Sequence, residues 1–435
     1  MSDYPRLFRV RQIFEQPRID KIEEEVVRQL ERFQLERFVR PGQTVAVTAG
    51  SRGIHAIHRI IRAVVGHLKA LGLQPFIVPA MGSHGGGTAD GQRKILESYG
   101  ITEEFCGCPI RASMETVVVS QAKEGFPVHF DRYAYEADHV MVVARVKPHT
   151  GFVGDIESGL MKMLLIGLGK HNGAIIYHRA IQDYSFGQII RSVAGEVLQK
   201  CRILAGLAIV ENARDETALV EAVLPQEFEA REKELLKMAR QWMPRLPFNA
   251  ADVLLIDQIG KNISGTGMDT NVVGRKFLDH RAAPDEQPKV RHIVIRDLSE
   301  ETHGNAAGIG LSEFCRSRVI RKMDVRATRI NCLTGGHVTG AMLPLDYETD
   351  REILDAAFSV IGLRPPEAAR LMWIHHTLDV TELECSEAYW HEAQQRHDLQ
   401  VLTELRPMPF GPDGNLPDSV HELRVRPAAV AERIS

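Results

Sequence analysis

Short, wholly apolar runs alternate along this chain with longer stretches whose apolar residues recur every three or four positions. Residues 20–38 carry Ile22, Val26, Val27, Leu30 and Phe33 at helical spacing, which predicts one buried face. Thr44-Val-Ala-Val-Thr48 predicts a buried strand that ends in Ala49-Gly-Ser-Arg-Gly53. Residues 55–71, with Ile57, Ile60, Ile61, Val64, Val65 and Leu68 on one stripe, predict the following helix. The unit then repeats: a strand over 74–79, the small-residue stretch Ala80-Met-Gly-Ser-His-Gly-Gly-Gly-Thr88, and a helix over 90–99. Strand, glycine-bearing turn and helix in succession is the pattern of a parallel α/β sheet.

Further along, residues 116–120 read as a β-run closed by a hairpin at Lys123-Glu-Gly125. The apolar run Val140 to Val143 stops at Lys147-Pro-His149, and Gly159-Leu-Met-Lys-Met163 leads on to His178. A helix over 187–200, a strand over 203–210 and a highly charged helix over 226–242 precede Pro244-Arg-Leu-Pro247, the best linker candidate. Beyond it the pattern restarts, with strands at 253–257, 292–297 and 369–374, a helical pattern at 308–314 and a helix over 348–363. Glycine-rich loops lie at 260–271 and 334–340, and a proline-rich tail starts at Pro407. The expected fold is two α/β domains, each a mainly parallel sheet flanked by helices, with an active-site cleft between them. The expected boundaries are 1–246, 247–406 and an extended tail over 407–435.

At 435 residues the chain is long for one core, which agrees with two domains. Its formal net charge of -4 supplies no basic field for a nucleic acid, and no apolar run approaches the roughly 18 residues of a membrane span. Six scattered cysteines make neither a disulfide framework nor a paired zinc motif, and the first residues lack a signal-peptide layout. The expectation is a cytoplasmic protein whose partners are small molecules.

Parallel strands place all their carboxyl ends on one sheet edge, where open α/β sheets put their ligands. Arg52, His84 and His149 each follow a strand and should face one crevice. Two imidazoles there can serve as base and acid near neutral pH, since the group titrates at about 6.5. Gly85 and Gly86 offer a phosphate-cradling turn, although the stretch matches no complete nucleotide motif. Lys162 reads either as a snorkelling surface lysine or as a partly desolvated nucleophile. His178 is a candidate metal ligand without a zinc-type spacing partner.

The ordered set Ser51-Arg52, Gly82-Ser-His84, Lys147-Pro-His149, Lys162 and His178 resembles the nickel-dependent lactate racemase superfamily, whose members isomerise 2-hydroxy acids with a lysine-tethered nickel-pincer nucleotide. The resemblance implies that Lys162 carries the cofactor, with Gly85, Gly86 and Ser158 beside it, and that His178 binds nickel. It implies His84 and His149 as the catalytic pair on either side of the substrate, Arg52 on the substrate carboxylate, and Gln258 and Lys261 as substrate-binding residues of the second domain. Enzymes that make the cofactor are then implied partners, besides the 2-hydroxy acid. The sequence departs from the family at Ala49, where the lactate racemases have an acidic residue, and at Asp155 and Glu157 in a longer loop, so the expected substrate is stated only as a 2-hydroxy acid. Two other readings of the residues stand beside this one. One is a metal-dependent hydrolase or lyase built on His84, His149 and His178, and the other is a non-enzymatic carrier of a nucleotide or organic acid.

Overall fold

A computed structural model describes residues 4–51 and 53–423. The chain divides into two compact units, one comprising Glu15–Met243 and the other Met1–Phe14 with Pro244–Ser435.

In the first unit the strands Gln74–Pro79, Thr44–Ala49, His139–Arg145, Ile203–Glu211 and Thr217–Val223 lie side by side in that order. All neighbours are parallel except the last pair. Helices cover both faces, so residues of either parity are buried along each central strand. Ala46, Val140, Val142 and Ala208 enter one core, while Val45, Val47, Met141, Val143 and Leu207 enter the other. That is why these strands read as unbroken apolar runs instead of alternating ones. The predicted helices form as Ile22–Glu31, Ile57–Ala70, Ala89–Ser98, Phe186–Lys200 and Phe228–Trp242, and the hairpin as Thr116–Gln121 against Pro127–Asp131. The first helix is shorter than its apolar spacing predicted. After Arg32 the chain turns at Gln34, whose φ is +49°, and a separate short turn of helix, Leu35–Arg37, follows.

In the second unit the strands Leu345–Tyr347, Phe314–Arg316, Lys289–Leu298, Ala250–Ile259 and Leu371–Ile374 run parallel, and Glu382–Ser386, Leu7–Gln12 and Leu399–Val401 complete the sheet antiparallel. The structure departs from the expectation at two points. The opening segment belongs here and not to the first unit, because Leu7–Gln12 hydrogen-bonds between two strands of this sheet and buries Leu7, Phe8 and Val10. The helical pattern at 308–314 is a short turn, Ile309–Leu311, followed by a strand, since Gly308 takes a φ of +98° and closes on the carbonyl of Thr266 too tightly for any side chain.

The tail, expected as an extended segment, is packed up to Leu423, with Met408, Leu416, Val420 and Leu423 in the core. Arg296, wholly buried, holds it by donating to the carbonyls of Leu416 (3.1 Å) and Pro417 (2.8 Å) while pairing with Asp257 (2.6 Å) and Asp350 (2.8 Å). Residues 424–435 lie outside the described part. Among the described residues no helix is long and apolar enough to cross a membrane.

Candidate functional site

Three adjacent strands of the first unit deliver the residues singled out above. Thr44–Ala49 runs into Gly50 and Ser51, Gln74–Pro79 into the loop of His84, and His139–Arg145 into Lys147, Pro148 and His149. The first two loops meet directly, for the Ser51 hydroxyl is hydrogen-bonded to His84 Nδ1 and the Ser51 carbonyl accepts from the Tyr99 hydroxyl at 2.8 Å. Arg52 lies outside the described residues. Gly85, Gly86 and Gly87 all have positive φ, and a side chain at Gly85 would collide with the backbone of Gly91 and Gln92. This glycine turn is therefore required by the fold itself.

The loop after His149 is held from inside. The Glu157 carboxylate, wholly buried, accepts from the His149 amide (2.8 Å) and pairs with Arg240 (2.7 Å). The Ser158 hydroxyl closes the loop on the backbone of Lys147 by accepting from its N–H and donating to its carbonyl. Asp155 points the other way, and Arg191 together with Lys233 keeps its carboxyl down at about 2. The two acidic residues that set this loop apart thus shape it. His149 Nδ1 accepts from the amides of Gly151 and Phe152, both at 3.0 Å, so the neutral ring carries its proton on Nε2.

Phe152 is the hub of the site, and inspection of the sequence alone passed over it. Its ring stacks on His149 (centroids 4.2 Å apart, planes at 10°) and on Phe186 (4.2 Å, 11°), and it lies 5.8 Å from the His178 ring. Lys162 Nζ sits 5.0 Å from the same ring's centroid. His149, Lys162 and His178 are thereby gathered around one aromatic plate. Burial and the neighbouring Lys162 charge both lower the pKa of His178, which leaves a neutral imidazole, the form that binds a metal. Phe152→Leu removes two stacked contacts worth about 1 kcal/mol each, and the expected loss of about 2 kcal/mol is read by urea unfolding.

Lys162 closes the helical turn Leu160–Lys162, which continues into a π-helical turn, Met163–Gly167, and then the helix Lys170–Asp183 that bears His178. A π turn between two functional side chains is a frequent mark of a site, because its wider spacing re-aims the residues on either side. Below the turn lies a second residue missed in the sequence, Glu232, which is wholly buried and accepts from the Met161 amide at 3.0 Å. A clue was available. Phe228, Glu232, Leu235, Leu236 and Ala239 share the buried face of their helix, so the apolar spacing itself runs through Glu232.

Among the described residues no group of three or more His, Cys, Asp or Glu is gathered as a metal site, so His84, His149 and His178 do not form a protein-only metal centre. An amine and a neutral imidazole beside one aromatic ring are nonetheless the groups that a lysine-tethered metal group would need, the amine as tether and the imidazole as ligand. In the second unit, Gln258 is the penultimate residue of the strand Ala250–Ile259, and its backbone N–H donates to the His375 carbonyl. Lys261 follows in the adjoining loop, where its Nζ is bonded to the Gly265 carbonyl and to Asn331 (2.8 Å).

Residues 7–186 match the model of the lactate racemase N-terminal domain. The fold is similar to that of the lactate racemase apoprotein from Thermoanaerobacterium thermosaccharolyticum, with a TM-score of 0.53 and 12% identity over 85% of this chain and 94% of that one. No curated protein matches the sequence. The matched region spans all three strand-end loops, the Phe152 cluster, Lys162 and His178, so the similarity to the lactate racemase N-terminal domain takes in the whole candidate site of the first unit.

Proposed function

We propose that the protein is an isomerase, a racemase or epimerase of a 2-hydroxy acid, that works with a nickel-pincer nucleotide attached at Lys162 and coordinated by His178. The observation that supports this reading most is the grouping of His149, Lys162 and a neutral His178 on the ring of Phe152. When bound, the cofactor would supply a hydride acceptor and donor for the substrate carbon.

The protein's own part is to bind the acid and move the hydroxyl proton. Arg52 would hold the substrate carboxylate, for which a planar two-pronged guanidinium is suited. His84 can act in either sense, because the Ser51 hydroxyl against its Nδ1 can donate or accept. His149 holds a proton ready on Nε2, and to take one up there it must release the amides of Gly151 and Phe152. The two histidines are thus unequal partners. Gly85 and Gly86 would lie along the cofactor phosphate, and enzymes that build the cofactor would be the protein's partners.

The reading is tested by producing the protein alongside cofactor-making enzymes, then measuring intact mass, nickel content and racemisation of a panel of 2-hydroxy acids. A mass increment on the Lys162 peptide, bound nickel, and a product that keeps its α-deuterium in ordinary water are expected. An unmodified protein, prepared beside a known relative that does load, would sink it. His84→Gln and His149→Gln are each expected to retain the increment and lose about 100-fold in turnover.

A further inference from the structure

The helix that carries His178 begins at Lys170, a residue with a positive φ of +54° and no exposure to solvent. Its ammonium group donates to Gln92 Oε1 at 3.3 Å and to the carbonyl of Pro79, and forms an ion pair with Asp131 Oδ2 at 3.0 Å. Pro79 is the last residue of the strand that leads to His84. Gln92, also wholly buried, turns its amide NH2 to the carbonyls of Gly82 (2.8 Å) and of His84 itself (3.3 Å). Asp131 anchors the far side, where its other oxygen accepts from the Ala134 amide at 2.8 Å. The loop is seated on the same helical segment by Gly82, which packs on Ile166 and Ala174, and by Gly87, which packs on His171.

A buried lysine is costly to desolvate, and an apolar side chain would fill this core at lower cost. What the lysine adds is direction. It ties the start of the His84 loop, and through Gln92 the His84 backbone, to the segment that carries Lys162 and His178. We infer that Lys170 is a positioning residue, which through Gln92 fixes His84 relative to the Lys162 and His178 pair. The inference rests on the proposed catalytic role of His84, but its first test does not need an active enzyme.

That test is NMR of the full-length protein labelled at its histidine rings, with the His84 signal assigned by its loss in His84→Gln. The comparison is between wild type and Lys170→Met/Asp131→Asn, which removes both charges and leaves no buried ion alone. Rings of the second unit, His375 and His421, serve as internal controls. The His84 signal is expected to shift and broaden while the controls stay, and Gln92→Met, which cuts only the link to the loop, is expected to move it the same way. In loaded enzyme, kcat should fall about 10–100-fold with KM little changed and the Lys162 increment intact, as small misplacements of a reacting group do. An unmoved His84 signal in folded Gln92→Met overturns the inference, and that variant also decides the matter where the double variant does not fold. A shifted His84 signal in the variants, beside a wild-type protein that racemises nothing, leaves the positioning role standing and removes the proposed function instead.

Discussion

Lys162→Ala is expected to lose the covalent mass increment completely, retain little nickel, and racemise 2-hydroxy acids at least about 10,000-fold more slowly than wild type, because a tethering amine has no substitute in the site. The change should be specific. Lys162 is only half-buried and its ammonium lies over the face of Phe152 at 5.0 Å, a contact worth about 1 kcal/mol, so the variant should remain folded. A second readout separates loss of chemistry from loss of structure. Burial and the Lys162 charge together depress the His178 pKa, and removal of that charge should let it rise while burial keeps it below the ordinary histidine value. Histidine NMR titration of the unloaded protein reads this directly. Undiminished racemisation by Lys162→Ala would falsify the tether, whatever the titration shows.

The parts of this molecule that the sequence disclosed are those set by local periodicity. The βαβ succession of the first unit and the three loops at the strand ends follow from apolar runs, glycine turns and the rule that parallel strands share a carboxyl edge, whereas the pairing of Lys162 with His178 is implied only by the family resemblance. What escaped was decided at long range. Leu7–Gln12 reads as a strand by its pattern, but its choice of sheet depends on a partner some 370 residues away, Glu382–Ser386. The packed tail is fixed by Arg296, which sits in an ordinary apolar strand in the sequence. Phe152 looked like a loop aromatic, and only the fold shows that His149, His178 and Phe186 share its faces. Lys170 and Glu232 were hidden for another reason. A charged residue reads as surface until its buried partners are known, and those partners, Gln92 and Asp131 or the Met161 amide, lie on other elements.

Glu232 yields the second large effect, and it concerns pH. The carboxyl group is wholly buried. One oxygen accepts from the Met161 amide, and the other, Oε1, has no hydrogen-bond partner among the described residues. Its helix also runs so close to Gly159 that a side chain there would strike the carboxyl carbon, which explains a glycine with a φ of +134° at the entry to the Lys162 turn. Burial pushes the Glu232 pKa up to about 8, against the pull of the Met161 and Leu160 amides and the Lys162 charge. Between its ordinary value of 4.5 and about 8 the folded protein therefore holds a proton that the unfolded chain has released. The unfolded state binds fewer protons in that window, so stability falls as pH rises through it, by about 5 kcal/mol in all if no other group intervenes. Glu232→Gln keeps an acceptor for the two amides and cannot ionise. Urea unfolding at pH 5, 6.5 and 8 should show the wild type weakening toward the alkaline side relative to the variant, with the difference growing by about 20-fold in the folding constant at each step. Equal slopes in the two proteins would mean that Glu232 ionises freely. Retention of the glutamate despite this cost then becomes an argument about Lys162: a carboxyl group on the amides at the foot of the turn fixes where that turn begins, and hence where the amine at its end is presented.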